Sequence, residues 1–402
     1  MQNRMSRPEF ITLIAVMFAT VAFSIDSMLP ALPQIGAELS PDDLNRAQLI
    51  LTAFVLGMGT GTFFTGPLSD AFGRKRVIYF GAALYITASA VAWASNSLEV
   101  VLAARVFQGL GAAAPRIVGM AIMRDLYSGR TMAKMISIAM MIFTIFPAFA
   151  PLMGAGIIAL AGWRSIFLAF ILFSVITVSW MSLRLPEPLA AKDRRPFRAR
   201  LLLGAVQEML THPVVRLSII VQSLSLGILF TMLIMVQQIY DLVFARAESF
   251  PLWFGAVSLV AGSASILNAT IVERIGMRRI VTWSLAVQIF VTGGVILTNA
   301  FALPETLLFG VFVAWQCSIF FMAGTTLGNL NAIAMEPMGH IAGMAASVIG
   351  GISTIVAAAI AAPVGLLFNA TMWPMAFGVF LMSCAGFAVM LKMAKLDLPD
   401  NR

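Results

Sequence analysis

Residues 66–76 read Gly66-Pro67-Leu68-Ser69-Asp70-Ala71-Phe72-Gly73-Arg74-Lys75-Arg76, one acid and three bases set between two long apolar runs. An apolar run that stops at Gly-Pro, carries a charge knot of about ten residues and then resumes is the pattern of two membrane helices joined by a very short loop. The bases place that loop on the cytoplasmic side. Composition agrees with a membrane reading. Of 402 residues, 60% are hydrophobic and only 11% are charged, whereas a soluble surface needs about a quarter charged. The formal charge of +8 is therefore read by position along the chain, and nucleic acid is not an expected partner.

Apolar runs long enough to cross about 30 Å of hydrocarbon fall near 10–31, 47–69, 77–96, 98–120, 132–160 and 163–185. Six more fall near 214–236, 252–272, 280–300, 304–330, 340–368 and 373–393. The first run follows Arg4 and Arg7, is too long for a signal-peptide core and is expected to be a retained span. With both termini on the cytoplasmic side, Arg46, Arg164 and Arg246 fall outside and Arg105 and Arg116 fall within a span. The remaining 21 of the 26 Lys and Arg then lie inside, as the positive-inside rule requires. Residues 186–213 form a Pro-rich basic linker (Lys192, Arg194, Arg195, Arg198, Arg200), in which Arg198 to Leu210 reads either as an amphipathic surface helix or as a solvated tether.

A repeat is visible across that linker. Glu273-Arg274-Ile275-Gly276-Met277-Arg278-Arg279 repeats the acid, the glycine three residues later and the trailing bases of Asp70, Gly73, Arg74, Lys75 and Arg76 at an offset of 203 residues. The same offset carries the starts of the first four runs close to those of runs seven to ten. The expected fold is all-α and membrane-integral: twelve transmembrane helices in two pseudo-symmetric six-helix bundles, 1–185 and 214–402, joined by the linker 186–213. Parallel repeats of this kind place a substrate site between the halves near the midplane.

Charges inside spans are functional by default. Asp26 lies near the outer third of the first span, where an ionised carboxylate costs several kcal/mol unless paired, hydrated or neutralised. It is read as a proton carrier or substrate contact, with a structural ion pair or a snorkelling acid as the plainer alternative. Arg105 comes to a similar depth, roughly 8–11 Å below the outer surface, so the two are expected to be able to meet. Arg116 follows Arg105 by eleven residues and shares its helix face. It either flanks a passage for an anionic or polar substrate or snorkels to the inner surface. Pro147, Pro151 and Gly154 in the fifth span supply freed backbone groups for bending and a site of close helix contact. At the 203 offset Asp26 and Arg105 are replaced by Leu229 and Leu308, so coupling is expected in the first half. Uncharged candidates in the second half are Gln222, Gln237, Gln238, Trp315, Gln316 and Asn329.

Gly66-Pro67-Leu68-Ser69-Asp70 followed by Gly73-Arg74-Lys75 resembles the loop between spans two and three of the major facilitator superfamily. Arg105-Val106-Phe107-Gln108-Gly109 resembles that superfamily's Arg-x-x-Gln-Gly segment in span four. Ile145 to Ala155 resembles the Gly-Pro-rich antiporter segment of drug:proton exchangers, without the usual glycine before the proline and with Ala155 in place of the second glycine. With Gly162-Trp163-Arg164 and the Asp26 stretch, the chain is most similar to twelve-span drug:proton antiporters of the bicyclomycin-resistance type.

The resemblance implies proton-coupled export of small amphipathic compounds across the bacterial inner membrane. Asp26 and Arg105 would handle the proton, and Asp26, Arg105, Gln108, Arg116, Gln237, Trp315 and Gln316 would line the cavity. Asp70, Gly73, Arg74, Arg124 and Asp125 would form an inner latch. The expected partners are the lipid bilayer, protons and a small-molecule substrate; no cofactor beyond the proton gradient is expected, and the chain should be a monomer. One alternative is an organic-anion or metabolite transporter using Arg105 and Arg116; another is a non-transporting membrane sensor. Catalysis finds no support, since His212 and His340 are the only histidines and no metal-ligand or nucleophile spacing appears. Cys317 and Cys384 sit in apolar runs and read as packing residues.

Overall fold

The structure, a computed structural model, describes residues 5–194, 196–197, 199–298, 301 and 303–396. Arg195 and Arg198 of the linker, and both extreme termini, lie outside the described residues. The first half contains α1 (Arg7–Asp26), α2 (Leu32–Leu39), α3 (Leu49–Phe72), α4 (Arg74–Ala94), α5 (Leu98–Leu126), α6 (Gly129–Ala161) and α7 (Ser165–Arg184). The short α8 (Ala199–Thr211) precedes α9 (Pro213–Gln238), α10 (Phe250–Ile275), α11 (Met277–Thr298), α12 (Glu305–Met335), α13 (Ala342–Leu366) and α14 (Trp373–Lys395). Two compact units divide between Arg200 and Leu201, inside the linker.

Among the described residues, eleven stretches are long and apolar enough to span a bilayer. One of them, Glu305–Leu366, has 62 residues, about three times the roughly 20 that a crossing needs. It consists of α12 and α13 joined by a 3₁₀ turn at Glu336–Ile341, where Met338 leaves helical geometry. Twelve spanning helices result, in the twelve-helix architecture expected.

The two units are built alike. In the first, α1 packs on α5, α6 and α7, α5 packs on α3 and α4, and α4 packs on α7; in the second, α9 packs on α12, α13 and α14, α12 packs on α10 and α11, and α11 packs on α14. The repeated glycine explains the shared turn. Gly73 (φ +100°) and Gly276 (φ +88°) adopt a conformation that side-chain-bearing residues avoid, and each N–H caps the preceding helix, at Ser69 O (3.1 Å) and Val272 O (2.9 Å).

Lipid offers no hydrophobic force to bring helices together, so close contact depends on small residues. At the α3–α5 crossing, a Cβ on Gly109 would lie 1.9 Å from Phe54 O, and one on Gly57 1.9 Å from Val106 O. Only glycine fits there.

The structure changes two expectations and decides between the two readings of the linker. α3 runs on through Pro67 to Phe72, so Gly73 alone separates α3 from α4. The first span is not one helix through residue 31: α1 ends at Asp26 and the chain passes through a 3₁₀ turn (Leu29–Ala31) into α2. The linker holds the amphipathic α8, whose Glu208 meets His340 at 2.8 Å. Cys317 and Cys384 are free and half-buried.

Candidate functional site

Arg105 is fully buried at the meeting of four helices. The tightened end of α1 moves the Met28 N–H onto Ile25 O (3.3 Å), which frees Ser24 O to accept from Arg105 Nη2 at 2.9 Å. Arg105 Nε donates to Ile50 O of α3 at 3.2 Å, and Nη1 donates to Gln108 Oε1. Gln108 Nε2 in turn donates to Ser89 Oγ of α4 at 2.6 Å. The Ser24 hydroxyl lies 2.6 Å from the Tyr85 hydroxyl, joining α1 to α4. Phe54 stacks beneath the guanidinium at 4.4 Å. A cation at a helix C-terminus also meets the negative end of the helix dipole.

This wiring corrects the expected pairing. None of the Arg105 hydrogen bonds goes to Asp26. Backbone carbonyls of α1 and α3 and the amide of Gln108 hold the arginine instead. Asp26, the last residue of α1, is 5% exposed, so its side chain faces protein and not lipid. The next residue is clamped by α6: a Cβ on Gly154 would lie 2.1 Å from Ser27 O. Gly154 therefore sets how closely α6 approaches the break in α1, while α6 itself remains helical through Pro147 and Pro151.

At the end of the unit that holds the Gly73 turn, Arg74 is 3% exposed and draws three helices together. Its Nε donates to Asp125 Oδ2 of α5 at 2.7 Å, and its Nη1 donates to Ser69 Oγ at 2.7 Å and to Asp70 Oδ1 of α3. The expected Arg124 is not part of this knot; it is exposed at the neighbouring position, because successive residues on a helix point about 100° apart. Glu187, which the sequence reading passed over, is part of it. Its carboxylate accepts from the Arg74 and Lys75 backbone N–H groups at 2.9 and 3.0 Å, capping the N-terminus of α4 from the linker. Lys75 Nζ donates to Leu185 O at 2.7 Å. At the opposite end of the unit, Glu38 accepts from Trp163 Nε1 and Arg164 Nη1, each at 2.7 Å, which gives Gly162-Trp163-Arg164 a structural role.

The chain matches the family description Major Facilitator Superfamily over residues 12–362. It belongs to that superfamily. The chain is accordingly a multi-pass membrane transporter and not an enzyme. It is 28% identical to a bicyclomycin resistance protein homolog of Haemophilus influenzae, over 94% of each chain. It is also 28% identical to the multidrug resistance protein MdtL of Salmonella schwarzengrund, over 81% of this chain and 80% of the relative, and to the MFS-type transporter YdgK of Bacillus subtilis, over 94% and 93%. In fold it is similar to the crystal structure of a D-xylose-proton symporter, with a TM-score of 0.73 and 13% identity over 96% of this chain and 97% of the other.

The other candidate positions in this superfamily member fall into three groups. Trp315 and Gln108 are used internally: Trp315 Nε1 donates to Thr292 Oγ1 at 3.0 Å, the counterpart of the Gln108–Ser89 contact. Ser89 and Thr292 stand 203 residues apart, whereas Gln108 and Trp315 stand 207 apart, so α12 is displaced in sequence by about one helical turn. Gln237 Oε1 and Gln316 Nε2 are buried without a partner, although Gln316 Oε1 accepts from Tyr240 at 3.0 Å. Arg116 is exposed. A small void in the first half, lined by Thr20, Ile78, Tyr85, Pro115 and Met181 among others, has room for about one water molecule.

Proposed function

We propose that this transporter exports small amphipathic compounds, drugs among them, in exchange for protons across the bacterial inner membrane, as a monomer with both termini in the cytoplasm. The observation that carries the reading is Asp26, a buried carboxyl at the break of α1 whose expected partner, Arg105, is committed elsewhere. A carboxylate buried without a base is costly, and a proton removes the cost. Such a group gives up its proton when water reaches it and takes one before it is closed in. An exchanger needs that alternation, and binding can drive it only through differential affinity for the two states. The names of the relatives and the one-sided placement of Lys and Arg support cargo class and orientation. Asp70, Gly73, Arg74 and Asp125 then act as an inner latch, made in one state and broken in the other, and Pro147 and Pro151, which free backbone groups inside α6, let that helix bend between the two states.

The test is reconstitution in vesicles under an imposed pH gradient, with a panel of drugs and organic acids. The wild type should couple movement of one class to lumenal acidification. Asp26→Asn should abolish gradient-driven transport while exchange of labelled for unlabelled cargo continues. Gradient-driven transport that survives Asp26→Asn would overturn the proposal.

A further inference from the structure

Arg105 and Arg116 begin as equivalent, two arginines on one face of one helix, and the structure separates them. Arg105 is fully buried and hydrogen-bonded; Arg116 is exposed and takes part in none of the ion pairs among the described residues. The acids nearest the inner ends of α1, α3 and α5 are already claimed. Glu9 is held by Arg184 at 2.7 Å, and Asp70 and Asp125 are held by Arg74.

Helical phase fixes the direction of Arg116. The exposed Phe107 is nine residues away, half a turn round the helix, so Arg116 lies on the side of α5 opposite that outward face. That side is flanked by α1 and α3. Arg105, about 20° away in phase, contacts Ser24 O of α1 and Ile50 O of α3. Gly61 of α3 closes on Leu110 and Ala113, and Gly119 lies against Phe18 of α1. Towards the inner end the side opens, and Arg116, Met120 and Arg124 are exposed at four-residue spacing. Arg116 lies ten residues, roughly 15 Å, above the end of α5, and Arg124 lies near the mouth. A bare arginine at that depth is expensive against acyl chains, so the opening is one that admits water.

We infer that Arg116 is an anion-binding subsite, and that the cargo is an amphipathic molecule carrying a carboxylate, sulfonate or phosphate. The guanidinium is an unclaimed planar fork suited to such a group, and Arg124 raises the local anion concentration at the entrance. Met120 between them offers a compliant apolar contact for the rest of the molecule. This rests on the export reading for its direction of travel but not for its binding chemistry.

The test uses the full-length protein in detergent and two dyes with one ring system: fluorescein, an anion, and rhodamine 6G, a cation. Polarisation should show wild-type protein binding fluorescein more tightly, with affinity falling as salt rises. Arg116→Gln should weaken fluorescein binding about tenfold or more and leave rhodamine 6G within about twofold. Arg116→Lys, which keeps the charge and loses the fork, should fall between. Arg124→Gln should reduce the salt dependence with a smaller loss of affinity. A wild type that prefers rhodamine 6G, salt-independent fluorescein binding, or a folded Arg116→Gln protein with unchanged fluorescein affinity would each overturn the inference. Vesicle assays separate the two proposals. Arg116-dependent binding without proton-driven movement would remove the exchanger and keep the subsite; proton-driven movement of rhodamine 6G alone would do the reverse.

Discussion

The turn at Gly73 and its copy at Gly276 share a backbone and differ in what is attached to it. Both glycines have positive φ and both cap the preceding helix. In the first half the next residue is Arg74, buried and bonded to Asp70, Ser69 and Asp125; in the second it is Met277, and α12 carries no acid between Glu305 and Glu336. The contrast extends through both units. The buried charged side chains among the described residues are Asp26, Arg74 and Arg105, all in the first half, whereas the buried polar groups of the second are hydroxyls and amides. The backbone plan is thus shared by the two units, while the buried charges among the described residues are concentrated in one of them.

Three substitution pairs would break or sharpen that division, each read as thermal unfolding in detergent beside transport. Arg74→Met gives the first turn the residue of the second and should have the largest effect. It strands Asp125 and Asp70, at a cost of about 3 kcal/mol, the low end for a broken buried pair because Asp70 is partly exposed, while Met277→Ala should cost about 1 kcal/mol at most. Next, Gly109→Ala drives a methyl into Phe54 O and should cost about 2 kcal/mol with loss of transport, whereas Gly310→Ala in α12 meets nothing within 4 Å and should be neutral. The smallest contrast compares the two inter-helix ties. Gln108→Leu leaves a buried guanidinium N–H without an acceptor and should cost about 1–2 kcal/mol; Trp315→Phe removes one bond from a Thr292 that Gln288 still reaches at 3.0 Å, and should cost about half as much. Equal effects within any pair would mean that the halves share the charge-dependent work after all.

Much of the frame was legible because hydrocarbon makes charge conspicuous. The knot at residues 70–76, its repeat and the twelve apolar runs all stand out against 60% hydrophobic composition. The wiring of Arg105 was not legible, because two of its acceptors are backbone carbonyls, at Ser24 and Ile50, which every residue possesses. The break at Asp26 was legible but lay inside a continuous apolar run: Pro30, four residues on, has no N–H for the Asp26 carbonyl and its ring crowds that carbonyl, so the helix stops there and tightens into a 3₁₀ turn. Glu187 escaped notice because it lies in a linker 113 residues from the Arg74 amide it caps. Arg105 and Arg116 looked alike because helical phase gives direction but not what lies in that direction.

Gly154 gives the break in α1 a mechanical meaning. The Ser27 carbonyl sits where a side chain of α6 would otherwise be, so the two backbones touch one residue beyond the Asp26 carboxyl. Straightening or loosening that bend forces α6 to slide or tilt, and a push on α6 reshapes the bend in return. A buried carboxyl and a 33-residue rod are thereby geared together, with no side chain between them to absorb the slack.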